Sequence, residues 1–170
     1  THRILNLIGW LVSGILLFLW QEKYLPFHYE YIEQFRLFHY SADYFIEHCS
    51  YPSGIIEYLG SFLIQFFNQP HVGAGIVTIL LLSVGIGIQQ IFKRIASHVD
   101  MPLAYLLPTL FLLFAGMDIN YHLEGTLAFA LSVWFLNIQV SFVRPVHRMI
   151  SGVLLSWALY YLAGPAFALF

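Results

Sequence analysis

Charge is missing from five long stretches of this chain and is gathered into the links between them. Residues 4–20, 72–92, 102–117, 127–143 and 149–170 contain no Asp, Glu, Lys or Arg. A helix crosses the roughly 30 Å hydrocarbon core of a bilayer with about 20 mainly apolar residues, so each stretch reads as a membrane-spanning helix. Only 9% of the chain is charged, against roughly 25% in a soluble domain. Most helix faces must therefore meet lipid or another apolar helix. The expected fold is an all-α membrane protein with about five transmembrane helices, forming a single module over residues 1–170.

The links sort by sign. Arg3, Lys93, Arg94, Arg144 and Arg148 fall on one side of the expected bundle, and only Lys23 and Arg36 on the other. Basic residues concentrate on the cytoplasmic side, which puts the N-terminus in the cytoplasm. The acids are skewed the other way. Glu22, Glu30, Glu33, Asp43, Glu47, Glu57, Asp118 and Glu124 lie outside and Asp100 alone lies inside. A net charge of −2 excludes a nucleic-acid binder, because no basic patch is present to neutralise phosphates. One cysteine, Cys49, excludes an intrachain disulfide framework. The first apolar run is too long for a signal peptide core and lacks a small-residue cleavage site. The run from 149 to 170 ends without a charged flank, and the chain reads as the N-terminal fragment of a longer protein.

The two internal links are short, which makes antiparallel neighbours. The first external segment, 21–71, is long and structured. Ser41 is placed to cap a helix over 42–49 that has Asp43 in its first turn, where an acid suits the helix dipole. Tyr51-Pro52-Ser53-Gly54 is a turn, and Ser53 is placed to cap a second helix reaching about residue 68. Ile55, Ile56, Leu59, Phe62, Leu63, Phe66 and Phe67 recur there at helical spacing, with Glu57, Ser61 and Gln65 opposite. Such an amphipathic helix lies in the interface plane and offers a docking surface to a protein partner. Gly73, Gly75, Gly85 and Gly87 allow close helix packing and do not form a phosphate loop.

Two constellations carry chemistry. In the long segment, Asp43 and Glu47 are four apart and share a helix face, with Tyr40, Tyr44, His39 and His48 around them. Paired carboxylates suit a divalent cation or a positioned base. In the link after the third span, Asp118, Tyr121, His122 and Glu124 form a polar group without a basic residue. His122 and Glu124 are acid–base candidates, although their spacing matches no metal motif. For both clusters the plain reading is a solvated helix face with capping acids.

This arrangement resembles the amino-terminal part of the C-type glycosyltransferases, integral-membrane enzymes that use lipid-linked sugars. The shared pattern is one span, a long external segment with an acid and two juxtamembrane helices, two spans joined inside, then a short external link with acids. The resemblance implies that Asp43 is the first acid, acting as base or metal ligand, and that Asp118 or Glu124 is the second. The adjacent acid pairs usual in that family are absent here. The stretch EQFRLFHYSADYFIEHCSYPSGIIEYLGSFLIQFF is also similar to an uncharacterised family of large multi-pass membrane proteins from Bacteroides-type bacteria, a domain of unknown function. Three readings follow. The first is a lipid-linked-sugar glycosyltransferase module with Asp43, Glu124 and His122 as catalytic groups and Tyr40, Tyr44, Glu47, Asp118 and Tyr121 binding substrate. The others are a non-catalytic scaffold and a transporter fragment. Ionisable residues at a broken midplane helix would mark a transporter, and none of the five spans contains a charged residue.

Overall fold

The computed structural model describes residues 2–34, 37–95 and 105–165. Every regular element among them is helical: α1 (His2–Tyr24), α2 (Pro26–Gln34), α3 (Ala42–Cys49), α4 (Gly54–Ile64) followed by a 3-10 turn (Gln65–Asn68), α5 (Pro70–Ile95), α6 (Leu106–Ala115), α7 (Leu123–Ser141) and α8 (Pro145–Ala163). Arg36, His98, Asp100 and Pro102 lie outside the described residues, as does the end of the expected fifth span.

Among the described residues, three helices, Ile4–Tyr24, Pro70–Ile95 and Leu123–Ser141, are long and apolar enough to cross a membrane. Five were expected. α6 has ten residues, and positions 102–104 of the third expected span lie outside the described residues. α8 has 19, but its first turn is Pro145-Val146-His147-Arg148 and its apolar part starts at Met149. The helix ends at Ala163, because Gly164 adopts φ +58°, a left-handed conformation open to glycine.

α5 is the axis of the bundle and packs against α1, α6 and α7, while α7 also carries α4 and α8. Leu81 and Val84 of α5, Leu112 of α6 and Val133 of α7 form its dry centre. Hydrophobicity alone does not hold helices together in lipid, so close approach and polar ties must do so. Gly85 of α5 shows the close approach: a Cβ there would lie 2.6 Å from the Trp10 ring and 2.8 Å from Thr109 Oγ1. α1 and α6 both reach the α5 backbone at that point. The polar ties are buried. Gln21 Nε2 donates to Thr78 Oγ1 at 2.9 Å, and Tyr29 donates to Gln21 Oε1 at 2.5 Å. Asn137 Nδ2 donates to the Gly87 carbonyl at 2.6 Å. Such bonds contribute only about 0.6 kcal/mol each in a membrane. Packing therefore supplies most of the cohesion, and the bonds fix register.

The bundle has two chemically different ends. At one, Asn6 and Gln89 exchange hydrogen bonds of 2.8 and 3.1 Å, Arg94 donates to the Asn137 carbonyl at 2.7 Å, and Gln139 donates to the Arg148 carbonyl. The basic residues of α5 and α8 thus share an end. At the other, His71 pairs with Glu22 at 2.8 Å and His28 bonds the Gly116 carbonyl at 2.8 Å. The acids gather there.

The external segment is a folded cap. α1 runs to Tyr24, four residues past the expected end. α2 was not anticipated. Pro26 sits at its first position, where a missing N–H costs nothing, and Tyr29 packs edge-on to Phe67 at 5.0 Å. α3 starts as the sequence indicates, with Ser41 Oγ accepting from the Tyr44 N–H at 3.2 Å. α4 differs from expectation at both its cap and its faces. Ser53 has φ +75° and makes no side-chain cap. Its hydroxyl donates to Glu57 Oε1 at 2.6 Å, and its N–H donates to the Tyr161 carbonyl at 3.1 Å. Gly54, Ile56, Gly60, Ser61 and Ile64 are buried, whereas Leu59 and Phe66 are exposed. Gly54, Gly60 and Ser61 thus share the helix contact with Ile56 and Ile64, and the small residues permit the close approach that packing in lipid favours.

Tyr51 also bonds Glu57, at 3.0 Å to Oε2. Its phenol is pushed up to about 12, first by burial and then by the hydrogen bond and charge of Glu57. The neutral phenol is therefore the form the fold prefers. Its contribution is complete below the ordinary tyrosine range and is lost as pH rises from about 10 towards 12. In a spectrophotometric titration, Glu57→Gln should bring the Tyr51 transition part of the way back towards 10, and an unchanged transition would refute the contact.

Candidate functional site at the acidic end

Glu124 is the one predicted site residue that the fold encloses. It was expected in the link, but α7 begins four residues early, at Leu123, and Glu124 stands in its first turn. A carboxylate is favoured there by the unpaired N–H groups and the helix dipole. Its side chain is buried, at 8% exposure, which is costly for an ionisable group near lipid and marks a functional candidate. Space for it comes from Gly60 of α4. A Cβ on Gly60 would lie 2.7 Å from Glu124 Cγ, 2.8 Å from Cδ and 2.9 Å from Oε1. Sequence reasoning missed Gly60. A glycine inside an otherwise strong helical pattern was the available signal.

Beside Glu124 on α7, Thr126 is buried and lies 3.2 Å from the Tyr121 hydroxyl. Tyr121 and Thr126 line a cavity of about 40 Å³ with Gln21, Tyr29 and apolar side chains of α5, α6 and α7. That volume has room for water, a molecule of which needs about 10–15 Å³ of such space, and excludes a sugar. Burial pushes the Tyr29 phenol up, so it is a hydrogen-bond donor in this wall.

Of the other predicted residues, Tyr121 and Tyr44 are partly buried and the rest are exposed. Asp118 closes its own turn, with Oδ1 accepting from the Asn120 N–H at 2.9 Å and from Asn120 Nδ2 at 3.1 Å. His122 is the exposed residue preceding α7. Asp43 and Glu47 are exposed on α3 and share its outer face, as their spacing requires. Tyr44 and His48 take the inner face, their rings 4.2 Å apart, and both reach Tyr58 of α4. The Tyr40 hydroxyl donates to Gln65 Oε1 at 2.6 Å, and Tyr40 is otherwise exposed.

The two constellations therefore do not open into one mouth. Tyr58 meets α3 and Gly60 meets Glu124. Residues two apart on a helix point about 200° apart, so the body of α4 stands between Asp43 and Glu124. Among the described residues, no three His, Cys, Asp or Glu side chains converge as a metal-ligand set.

A bundle with three span-length apolar helices and a polar cap at one end defines a helical membrane protein. The chain belongs to the family described as "Family of unknown function (DUF6057)", whose model matches residues 2–170. No curated protein and no solved structure matches it.

Proposed function

We propose that this module is a glycosyltransferase-like membrane protein that handles a lipid-linked sugar at its acidic end. The observation that carries the reading is the buried Glu124, held at the start of α7 by the missing side chain of Gly60. A carboxylate suits sugar transfer because positive character develops on the ring as the leaving group departs. In this reading Glu124 is the acting carboxylate, with His122 and Tyr121 flanking it. Asp43, Glu47, Tyr40 and Tyr44 form the exposed approach on α3, and Asp118 shapes the link. Five spans, a cytoplasmic N-terminus and an inner-membrane location complete the proposal, supported by the gathering of basic residues at one end. A divalent cation is compatible with the acidic face of α3.

A second reading, a non-catalytic scaffold, is favoured by one observation: Leu59 of α4 and Phe66 of the 3-10 turn after it are exposed beside the acidic cap, where a partner could dock. Cells carrying single variants as the sole copy separate the two. On the enzyme reading, Glu124→Gln makes the lipid-linked sugar pool accumulate as it does in a deletion strain. Asp43→Asn gives a smaller rise, because Asp43 sits across α4 from Glu124. An unchanged pool with folded Glu124→Gln protein would remove the enzyme reading. Loss of a co-purifying partner in Leu59→Ser or Phe66→Ser would establish the scaffold.

A further inference from the structure

An open groove of about 1290 Å³ runs between α1 and α5, away from the acidic end. It exceeds the ~300–1,000 Å³ of an ordinary small-molecule pocket. Along α5 it extends from Thr78 to Lys93, about 22 Å at the helical rise. That is more than half of the ~30 Å hydrocarbon core, so its length suits a whole acyl chain from one leaflet. Both walls are span-length apolar helices, which places the opening against lipid.

The polar groups are gathered at the basic end. Asn6, Trp10 and Gln89 satisfy one another, with both Asn6 Nδ2 and Trp10 Nε1 donating to Gln89 Oε1 at 3.1 Å. Lys93 and Gln90 complete the lining there. Arg94, the next residue, is turned away to the Asn137 carbonyl. Among the described residues, Lys93 is the groove's cation and no Asp or Glu lines it. An apolar channel of chain length with one ammonium at its membrane-surface end complements a lipid that carries a phosphate.

We propose that this groove seats an anionic phospholipid from the leaflet at the basic end of the bundle. Its phosphate lies on Lys93 and Gln90, and an acyl chain lies along the open side of the α1–α5 seam, over Trp10 and Leu82. The site is separate from Glu124 and does not depend on the sugar-transfer reading.

Trp10 is a built-in reporter, since its ring lines the groove. The test uses protein in which Trp20, Trp134 and Trp157 are replaced by Phe, placed in phosphatidylcholine nanodiscs. Phosphatidylglycerol or phosphatidylcholine with brominated acyl chains is then titrated in. Brominated phosphatidylglycerol should quench Trp10 at about fivefold lower mole fraction than brominated phosphatidylcholine, the advantage of one lysine at a membrane surface. Lys93→Gln should erase that preference and Lys93→Arg should keep it. Equal quenching by the two lipids would mean ordinary boundary lipid and overturn the proposal. Absence of quenching would mean that protein fills the groove, and would overturn it too. If the triple variant does not fold, native mass spectrometry of the unaltered protein decides. Retained phosphatidylglycerol, lost in Lys93→Gln, supports the site, and no retained lipid refutes it.

Discussion

Gly54→Ala should detach α3 from α4, the largest structural effect expected of a single methyl group in this molecule. A Cβ at position 54 would lie 1.8 Å from the His48 carbonyl oxygen and 2.7 Å from its carbon. Both are backbone atoms, so no rotamer change relieves the clash, and the turn joining the two helices must open. Overpacking usually costs about 1–3 kcal/mol, and a rigid backbone obstruction belongs at or above the top of that range. The chain's one cysteine reports the result. Cys49 ends α3, is partly buried, and its carbonyl accepts from the Tyr161 hydroxyl of α8. Maleimide labelling of Cys49 should speed up at least tenfold in the variant, as expected when a stabilisation of more than about 1.4 kcal/mol is lost. Gly9→Ala, where a Cβ meets nothing within 4 Å, should label as wild type. Equal rates in all three proteins would show that α3 does not depend on this contact.

The second large effect is functional. In Gly60→Ala the new methyl overlaps the Glu124 side chain, which is flexible, so the helices stay in place and the carboxyl group moves. Displacing a reacting group by about 1 Å can cost on the order of 10²-fold in rate. If Glu124 acts on substrate, Gly60→Ala should lower transfer by that order while the melting temperature changes little. Glu124→Gln should lower it at least as far. Because both changes act through one group, the double variant should be no worse than Glu124→Gln alone. Additive losses would show that Gly60 and Glu124 serve different purposes. Wild-type transfer in Gly60→Ala would remove Glu124 from the mechanism.

The sequence was most informative where one force dominated. Freedom from charge located α1, α5 and α7 because burying a charge in lipid is expensive whatever the neighbours. Ser41 announced the start of α3 because capping is a local bargain between one side chain and the next turn. α4 was misread in its facing. Its periodicity is real, but the stripe is split: Ile56 and Phe67 meet protein, Leu59 and Phe66 face outward, and Ser61 from the expected polar side is buried. Ser53 failed as a cap for a related reason. A long-range contact with Tyr161, far along the chain, sets its backbone. The same limit hid the site. Glu124 was visible as a candidate, but its burial depends on Gly60, a residue with no side chain to notice. That α4 separates Asp43 from Glu124 follows from which helices touch it, and sequence spacing does not encode that.

The clasp between the α3–α4 turn and α8 bears on how the protein is made. Residues 42–64 emerge from the ribosome early, yet their partners Glu124 and Tyr161 are translated much later. At about 5–20 residues per second, α4 waits roughly 5–20 s for the end of α8. During that interval an apolar helix with a polar seam has no seat of its own. The nascent segment must be sheltered, by the insertion machinery or at the bilayer surface, until α7 and α8 arrive. Closing the cap is therefore a late step in biogenesis, and truncations ahead of α8 should leave α3 and α4 open to protease.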